Sequence, residues 1–327
     1  MPTFLITGIA GFIGSSLARA LLREGCRVRG IDNFSTGKRE NISEILDHID
    51  FLAADLLDAK AAKWACQDVD YVLHEAAIPS VPRSINNPLE TNRSNVDATV
   101  SLLMAARDAK VRRVVYAASS SAYGDSPTLP KKEDMVPNPI SPYAVSKLAG
   151  EHYMKSFWRC YGLETVCLRY FNVFGPRQDP YSPYSGVLAK FISQMLAGKQ
   201  PLIFGDGEQS RDFTYVDNVV RANLLACRAT GSAVAGQVFN IATGQRISLN
   251  DMYEDLQKLT GYFAPPKYGM ERRGDIKDSL ADLSRAEKHL GYRPAVSFEE
   301  GLRRTVEWYR SVAVTGQEPV LSGGVFH

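Results

Sequence analysis

The run Gly8-Ile9-Ala10-Gly11-Phe12-Ile13-Gly14 constrains this chain more than any other stretch. It follows a short apolar segment, residues 3–7, and leads into residues 15–22, whose apolar positions recur with helical spacing. That order predicts a strand, a tight turn and a helix. Glycines let the backbone turn sharply and let a pyrophosphate approach the helix N-terminus, where free N–H groups and the helix dipole favour anions. The spacing is G-x-x-G-x-x-G rather than G-x-G-x-x-G, and its place between strand and helix is what points to a dinucleotide. A second apolar run, residues 27–32, ends in Asp32. A carboxylate there is placed to accept hydrogen bonds from the adenosine ribose and to disfavour a 2′-phosphate, so NAD is preferred to NADP. Lys38 and Arg39 follow; such a basic pair can meet a phosphate or belong to a solvated loop.

The alternation continues. Strands are expected at 51–53, 71–74, 113–117 and 164–169, and helices at 59–66, 89–110 and 142–161. Regular βα alternation implies a doubly wound parallel sheet wrapped by helices. Asp55-Leu56 and Ala76-Ala77 then fall just after strands, at the carboxyl edge where open α/β sheets hold their ligands. His74 precedes that edge and reads as a packed strand histidine. The strand from Arg113 runs into Ser119-Ser120-Ser121, which is either a polar loop or a set of hydroxyls able to bond a substrate hydroxyl and share its proton with a base. A proline-rich loop leads to Ser141-Pro142-Tyr143-Ala144-Val145-Ser146-Lys147. Proline suits a first helical turn, and Tyr143 and Lys147, four residues apart, share one helix face. An ammonium close to a phenol favours the phenolate. Taken alone, this spacing is common on solvated helix faces.

Beyond Arg177 the texture changes. Residues 178–186 are polar and rich in Pro and Tyr, and the later elements no longer alternate. A smaller mixed α/β lobe is expected there, with helices at 187–196 and 216–230, strands at 202–204 and 238–241, and helices after Ser248 and Phe298. The division expected is 1–177, with returning segments near 216–243, for the dinucleotide; 178–312 for the substrate; and 313–327 as a loosely held tail.

Partners are bounded by charge. A formal charge of +2 with basic residues spread along 327 positions offers neither a nucleic-acid groove nor an anionic-membrane surface, which leaves small molecules. Five cysteines form no C-x-x-C and no metal spacing, so reduced thiols and a cytoplasmic setting are expected, with no metal. No basic n-region or long apolar run is visible near Met1.

Together Thr7-Gly8-x-x-Gly11-x-x-Gly14, Asp32-Asn33, the serine triplet, Ser141-Pro142-Tyr143-x-x-Ser146-Lys147, Arg169-Tyr170-Phe171-Asn172, Ser210-Arg211-Asp212 and Arg272-Arg273-Gly274-Asp275 resemble the extended short-chain dehydrogenase/reductase family. Within it the chain is most similar to the nucleotide-sugar epimerases that interconvert UDP-hexoses at C4. The resemblance implies a Rossmann sheet with a C-terminal substrate lobe. It implies an NAD cradle of Gly8, Gly11, Phe12, Ile13, Gly14, Asp32, Asn33, Ser35, Thr36, Gly37, Asp55, Leu56, Ala76, Ala77, Asn95, Tyr143, Lys147, Tyr170, Phe171 and Val173. Tyr143 is then the base held anionic by Lys147 and nicotinamide, and Ser119, with Ser120 and Ser121 beside it, bridges Tyr143 to the sugar hydroxyl. UDP-sugar contacts are implied for Ser80, Ser119, Tyr143, Asn172, Val187, Leu188, Lys190, Leu202, Phe204, Arg211, Arg272, Asp275 and Ser279. Guanidinium groups at Arg211 and Arg272 suit a diphosphate. Val187 departs from the asparagine that some of these enzymes carry.

The triplet separates branches of the family. Resembling dehydratases carry Thr-Asp-Glu where Ser119-Ser120-Ser121 stand, and decarboxylating relatives want an arginine and a glutamate near the sugar C6. Epimerisation is the simplest fit. Ser279 is small where other epimerases carry a tyrosine, which points to UDP-N-acetylhexosamines as well as plain UDP-hexoses. A UDP-uronate or UDP-pentose 4-epimerase, another nucleotide-sugar enzyme of the fold, and a non-catalytic NAD-binding sensor stay as alternatives. Helices 89–110 and 142–161 resemble those that pair in family homodimers.

Overall fold

A computed structural model describes residues 1–180, 186–231, 233–271 and 277–314. In chain order the first half reads β1 (Thr3–Thr7), α1 (Phe12–Arg23), β2 (Arg27–Asp32), β3 (Asp50–Ala53), α2 (Ala59–Cys66), β4 (Tyr71–His74), α3 (Val81–Asn86), α4 (Pro88–Asn92), α5 (Ala98–Asp108), β5 (Arg113–Ser119), α6 (Pro142–Tyr161) and β6 (Glu164–Tyr170). The second half reads β7 (Val173–Phe174), α7 (Val187–Leu196), β8 (Leu202–Phe204), β9 (Ser210–Arg211), β10 (Thr214–Tyr215), α8 (Val216–Arg228), β11 (Gln237–Ile241), α9 (Leu249–Thr260), α10 (Ser284–Leu290) and α11 (Phe298–Val314).

Among the described residues a seven-stranded parallel sheet has the order β11-β6-β5-β4-β1-β2-β3. Every residue of β1 is buried, as expected of a strand covered on both faces. One apolar layer joins α1 and α8 to the sheet through Leu17, Leu21, Val219 and Phe239. The other joins α2, α5 and α6 through Ala62, Leu102, Met154 and Phe157. A separate cluster around Phe174, Phe191, Phe213 and Phe298 holds α7, α9 and α11 together. Strand order reverses between β4 and β1, and in open α/β sheets that switch point opens a crevice at the carboxyl ends.

α6 runs as expected from Pro142 to Tyr161. Ser141 Oγ accepts the Ala144 N–H at 3.2 Å, a cap of about 1 kcal/mol, and Gly162 ends the helix in the left-handed region at φ +72°. Its inward stripe is Ala144, Lys147, Gly150, Glu151, Met154 and Phe157. A Cβ on Gly150 would lie 2.2 Å from the Tyr116 hydroxyl, so this glycine lets α6 lie directly on β5.

Two local readings change. The single helix expected at 89–110 is α4, a π-helical turn at Arg93–Asp97 and α5. Helix α3 was not anticipated; Ser80 caps it, accepting the Arg83 N–H at 3.0 Å, with a proline in its first turn. At the other edge of the sheet, β11 pairs with β6 after the long excursion through β7–β10, and α8 packs against α1.

Candidate active site

The glycine turn is built against the end of β4. Gly8 has φ +68°, and a Cβ there would sit 2.8 Å from both Ala76 N and Ala76 Cα. A Cβ on Gly14 would sit 2.2 Å from Gly8 O. Gly11 is the N-cap of α1 and supplies no side-chain cap, so the first N–H groups of the helix are available to an anion. Asp32 is buried at the end of β2, with one oxygen accepting the Ala10 N–H at 2.9 Å and the other the Phe34 N–H at 2.8 Å. Each oxygen keeps a further lone pair for a ribose hydroxyl. A Cβ on Gly37 would approach Asp32 Oδ2 to 2.9 Å, so this glycine keeps the carboxylate's side clear. Asn33 donates to Asp55 Oδ2 at 2.8 Å and its Oδ1 accepts the Ser35 N–H, tying the loops after β2 and β3 together. These features fit a dinucleotide with a free ribose diol. The basic pair turns elsewhere: Lys38 meets Asp179 at 3.0 Å, and Arg39 lies over the Phe34 ring.

On the same carboxyl edge, β5 delivers the serine triplet. Ser119 Oγ accepts the Ser121 N–H at 3.2 Å and lies 2.9 Å from Ser121 Oγ. Helix α6, which opens with Tyr143, packs on β5, and Ser119 acts to lower the Tyr143 phenol, so strand end and helix start come together. Ser120 opens the short turn that follows β5. Register places Ser119 opposite Tyr170 on β6, two residues before Asn172.

Lys147 is 3% exposed and donates from Nζ to Ala117 O at 2.8 Å, with Nζ 5.0 Å from the Tyr116 ring centre. Burial pulls this ammonium down to about 8, while Glu75 and Glu151 act in the opposite sense. Burial also pushes the Tyr143 phenol above its ordinary value, and the bond with Ser119 pulls it back. Burial thus decides the phenol's direction, and Lys147 spends a donor on the Ala117 carbonyl.

The nucleotide side is a cavity of about 280 Å³ lined in part by Asn172, Val173, Val187, Leu188, Leu202, Phe204 and Arg211. Asn172 stands at φ +33°, a left-handed conformation asparagine tolerates better than most residues. Its Nδ2 donates to Asp212 O at 3.0 Å and to Ser279 Oγ at 3.3 Å. Arg211 Nη1 donates to Ser210 O and Lys277 O, each at 3.0 Å. A larger hollow of about 700 Å³, lined by Glu208, Arg246, Asn250 and Tyr268 among others, contains none of the expected site residues.

Other expected residues have further roles inside the protein. Ser80 is a buried helix cap whose Oγ accepts the Arg83 N–H. Asn95, 1% exposed in the π-turn, is a bracket: its Oδ1 accepts the Ile78 N–H at 2.8 Å, and its Nδ2 donates to Ser146 Oγ at 3.0 Å. It ties the loop after β4 to the helix carrying Tyr143. Tyr170 and Phe171 turn their side chains into the protein, Tyr170 OH bonding Glu75 and Asn223 and Phe171 packing on Tyr123. Lys190 lies on α7, whose Val187 and Leu188 line the cavity. Ser279 is 9% exposed, and its Oγ accepts from Asn172 and from Asp212 N, so it is a strut behind Asn172 more than an open gate. Ile13 lies in the first turn of α1, and Thr36 and Leu56 lie in the loops after β2 and β3. Arg272 and Asp275 lie outside the described residues, as does the tail from 315.

Sequence reasoning missed Glu75 and the buried pair Glu151–Arg169, bonded at 2.7 and 2.8 Å. An acid placed directly after an apolar strand, at its carboxyl end, was the signal for Glu75. His74 behaves as expected: it is buried, bonded at 2.7 Å to Thr7 and 2.8 Å to Thr99, and pulled down to about 3 by burial, with the charge of Lys147 adding to the effect.

Comparison with known proteins gives a consistent picture. The family model described as NAD dependent epimerase/dehydratase family matches residues 4–242. A UDP-glucose 4-epimerase of Mycolicibacterium smegmatis is 41% identical, the match covering 94% of this chain and 98% of that one. A solved UDP-N-acetylglucosamine 4-epimerase from Methanobrevibacter ruminantium, in complex with UDP-N-acetylmuramic acid, is 42% identical with a TM-score of 0.90, covering 95% and 98%. A solved UDP-glucuronic acid 4-epimerase from Bacillus cereus, in complex with UDP-glucuronic acid and NAD, is 36% identical with a TM-score of 0.87, covering 95% and 99%.

Proposed function

The chain belongs to the NAD-dependent epimerase/dehydratase family, and on that premise we propose that it is a UDP-sugar 4-epimerase acting on UDP-N-acetylglucosamine and UDP-N-acetylgalactosamine, and also on UDP-glucose and UDP-galactose. The observation that carries this reading is the packing of α6, which opens with Tyr143, against β5, which ends in Ser119, on the sheet edge where the glycine turn opens. When bound, NAD supplies a nicotinamide that takes the hydride from the sugar C4 and returns it, and a positive charge that favours a phenolate. Tyr143 takes the proton of the C4 hydroxyl as that carbon becomes a carbonyl, and gives it back as the hydroxyl re-forms with the opposite configuration. Ser119 bridges the sugar hydroxyl and Tyr143, and Ser121 orients Ser119. The turn at Gly8, Gly11 and Gly14 holds the pyrophosphate, and Asp32 the ribose hydroxyls. Arg211, Asn172 and the cavity beside them hold the UDP-sugar, with residues 1–177 and 216–243 carrying NAD and 178–312 the substrate.

Product analysis tests this directly. Protein as purified, without added NAD, is incubated with UDP-N-acetylglucosamine, UDP-glucose and UDP-glucuronate, and the 4-epimers are separated; absence of every 4-epimer sinks the proposal. The uronate belongs in the panel because a relative of comparable similarity is a UDP-glucuronic acid 4-epimerase. Ser279→Tyr is expected to lower kcat/KM for the acetylated sugar relative to the plain one by about tenfold or more, since bulk behind Asn172 encroaches on the sugar. Ser279→Ala, which removes the strut without adding bulk, leaves that ratio nearly unchanged. An unchanged ratio in the tyrosine variant removes Ser279 from substrate selection.

We also propose a cytoplasmic homodimer. All five cysteines lie among the described residues and are free, which suits a reducing compartment. Among the described residues no helix is long and apolar enough to cross a membrane. Leu89 on α4, Met104 on α5 and Tyr153 on α6 are large apolar side chains exposed on the helices expected to pair. Light scattering is expected to give twice the chain mass of 36.1 kDa, and a monomer across the micromolar range rejects the dimer.

A further inference from the structure

Within Ser210-Arg211-Asp212, Arg211 lines the cavity, and Asp212, fully buried between β9 and β10, has no part in the mechanism above. Its carboxylate accepts four bonds, all from neutral donors. Oδ1 takes the Thr243 N–H at 2.9 Å and the Thr243 hydroxyl at 2.8 Å, and Oδ2 takes the Gly244 N–H at 3.0 Å and the Ala281 N–H at 3.1 Å. Thr243 and Gly244 follow β11 of the central sheet, whereas Ala281 lies two residues beyond Ser279. A carboxylate buried this deeply is tolerated only where such bonds replace water. The main chain of Asp212 is engaged as well: its N–H donates to Ser279 Oγ at 3.3 Å, and its carbonyl accepts from Asn172 Nδ2 at 3.0 Å.

We propose that Asp212 is a positioning residue for substrate binding: its carboxylate pins Asn172, Arg211 and Ser279 to the end of β11, and so sets where the UDP-sugar lies relative to the sheet that carries the dinucleotide. The proposal rests on the reading of the cavity beside Arg211 as the UDP-sugar site. Each of the three residues is referred to Asp212 or to its neighbours in the chain. Asn172 keeps its φ of +33° under bonds at both ends, with Nδ2 on Asp212 O and its own carbonyl accepting the Thr214 N–H at 3.2 Å. Ser279 is held twice, by its N–H on Ser210 O at 3.1 Å and by its Oγ under the Asp212 N–H. Arg211 rests its guanidinium on Ser210 O and Lys277 O. On the sheet side, β11 pairs with β6, and the Phe171 N–H donates to Ile241 O at 3.1 Å. The chain leading to Thr243 therefore leaves the sheet beside the chain leading to Asn172, and the Asp212 side chain closes the link between them.

Asp212→Asn keeps the shape and removes one acceptor. Whichever way the amide turns, its NH2 meets a main-chain N–H, that of Thr243 in one orientation and those of Gly244 and Ala281 in the other, so at least one segment must move away. The Kd for UDP, measured by calorimetry on the protein as purified, and KM for the preferred UDP-sugar are each expected to rise about tenfold or more, with kcat falling less than KM rises and NAD content kept. A merely structural role would lower the melting temperature and the NAD content and leave the Kd of the folded fraction unchanged, and that result overturns the proposal. Should Asp212→Asn fold poorly, Thr243→Val decides, because it removes the hydroxyl donor while keeping the side-chain shape and the main-chain N–H. A rise of about two- to fivefold in the Kd for UDP is then expected. An unchanged Kd overturns the proposal. Wild type that binds no UDP overturns the cavity reading and this proposal with it, whereas UDP bound equally by wild type and variant overturns the role of Asp212 alone.

Discussion

Tyr143→Phe is expected to lower kcat by about a thousandfold, within the range typical of losing a positioned acid–base group, while NAD stays bound. That loss corresponds to about 4 kcal/mol of transition-state stabilisation. Only one oxygen is removed. Ser119 keeps its contacts with Ser121 without the phenol, so the helix start and the strand end should remain in place. The cap by Ser141 and the apolar stripe of α6 do not involve the hydroxyl. Initial rates with the best UDP-sugar, together with cofactor content from the absorbance of denatured protein, check both halves. Turnover within a few-fold of wild type would mean that another group takes the proton.

Gly14→Ala is expected to have the largest effect on cofactor content. The new Cβ would lie 2.2 Å from Gly8 O and 2.9 Å from both Gly8 C and Ile9 Cα, and all three are backbone atoms that cannot swing aside. Relief requires the turn to open, at a cost of about 1–3 kcal/mol or more. Opening it moves the N–H groups that would meet the pyrophosphate, so purified variant should carry less than about a tenth of the wild-type NAD. Two controls calibrate the result. A Cβ on Gly11 meets only Gly8 O, at 3.1 Å, so Gly11→Ala is milder. Gly162 has nothing within 4 Å but stands at φ +72°, so Gly162→Ala costs about 1 kcal/mol in stability and nothing in NAD content. Full NAD content in Gly14→Ala, measured beside these two, would show that the turn does not hold the dinucleotide.

Legibility differed from residue to residue for physical reasons. The bounds of β1, β2, β4, α2, α6, α7 and β8 were read to the residue, because apolar runs and helical spacing are local properties. Helix α3 escaped because its six residues are too few for a period, though Ser80 and Pro82 were its start signals. The π-turn at Arg93–Asp97 escaped because an i→i+5 register leaves the apolar spacing almost intact. Among the expected site residues, those placed by main-chain shape were plain: Gly8 and Gly14 form a tight turn and Asp32 ends a strand. Those whose role depends on a distant partner were not. Ser279 supports Asn172 from 107 residues away, and Tyr170 spends its hydroxyl on Glu75 across the sheet.

By itself, then, the amino-acid order determined the parallel sheet, its glycine turn, the acid that favours NAD, and the pairing of Tyr143 with Lys147 on one helix face. Periodicity and turn chemistry act between neighbours, so they are written in the order of neighbours. Tertiary structure alone decided that Ser119 and Tyr143 lie on packed elements and that Lys147 binds Ala117 O in a setting where burial holds the phenol up. Those relations depend on which strand lies beside which, and on how little water remains between them. Burial changes the stability of a charge by as much as any neighbour in the chain can, and it is set by packing among residues far apart in sequence.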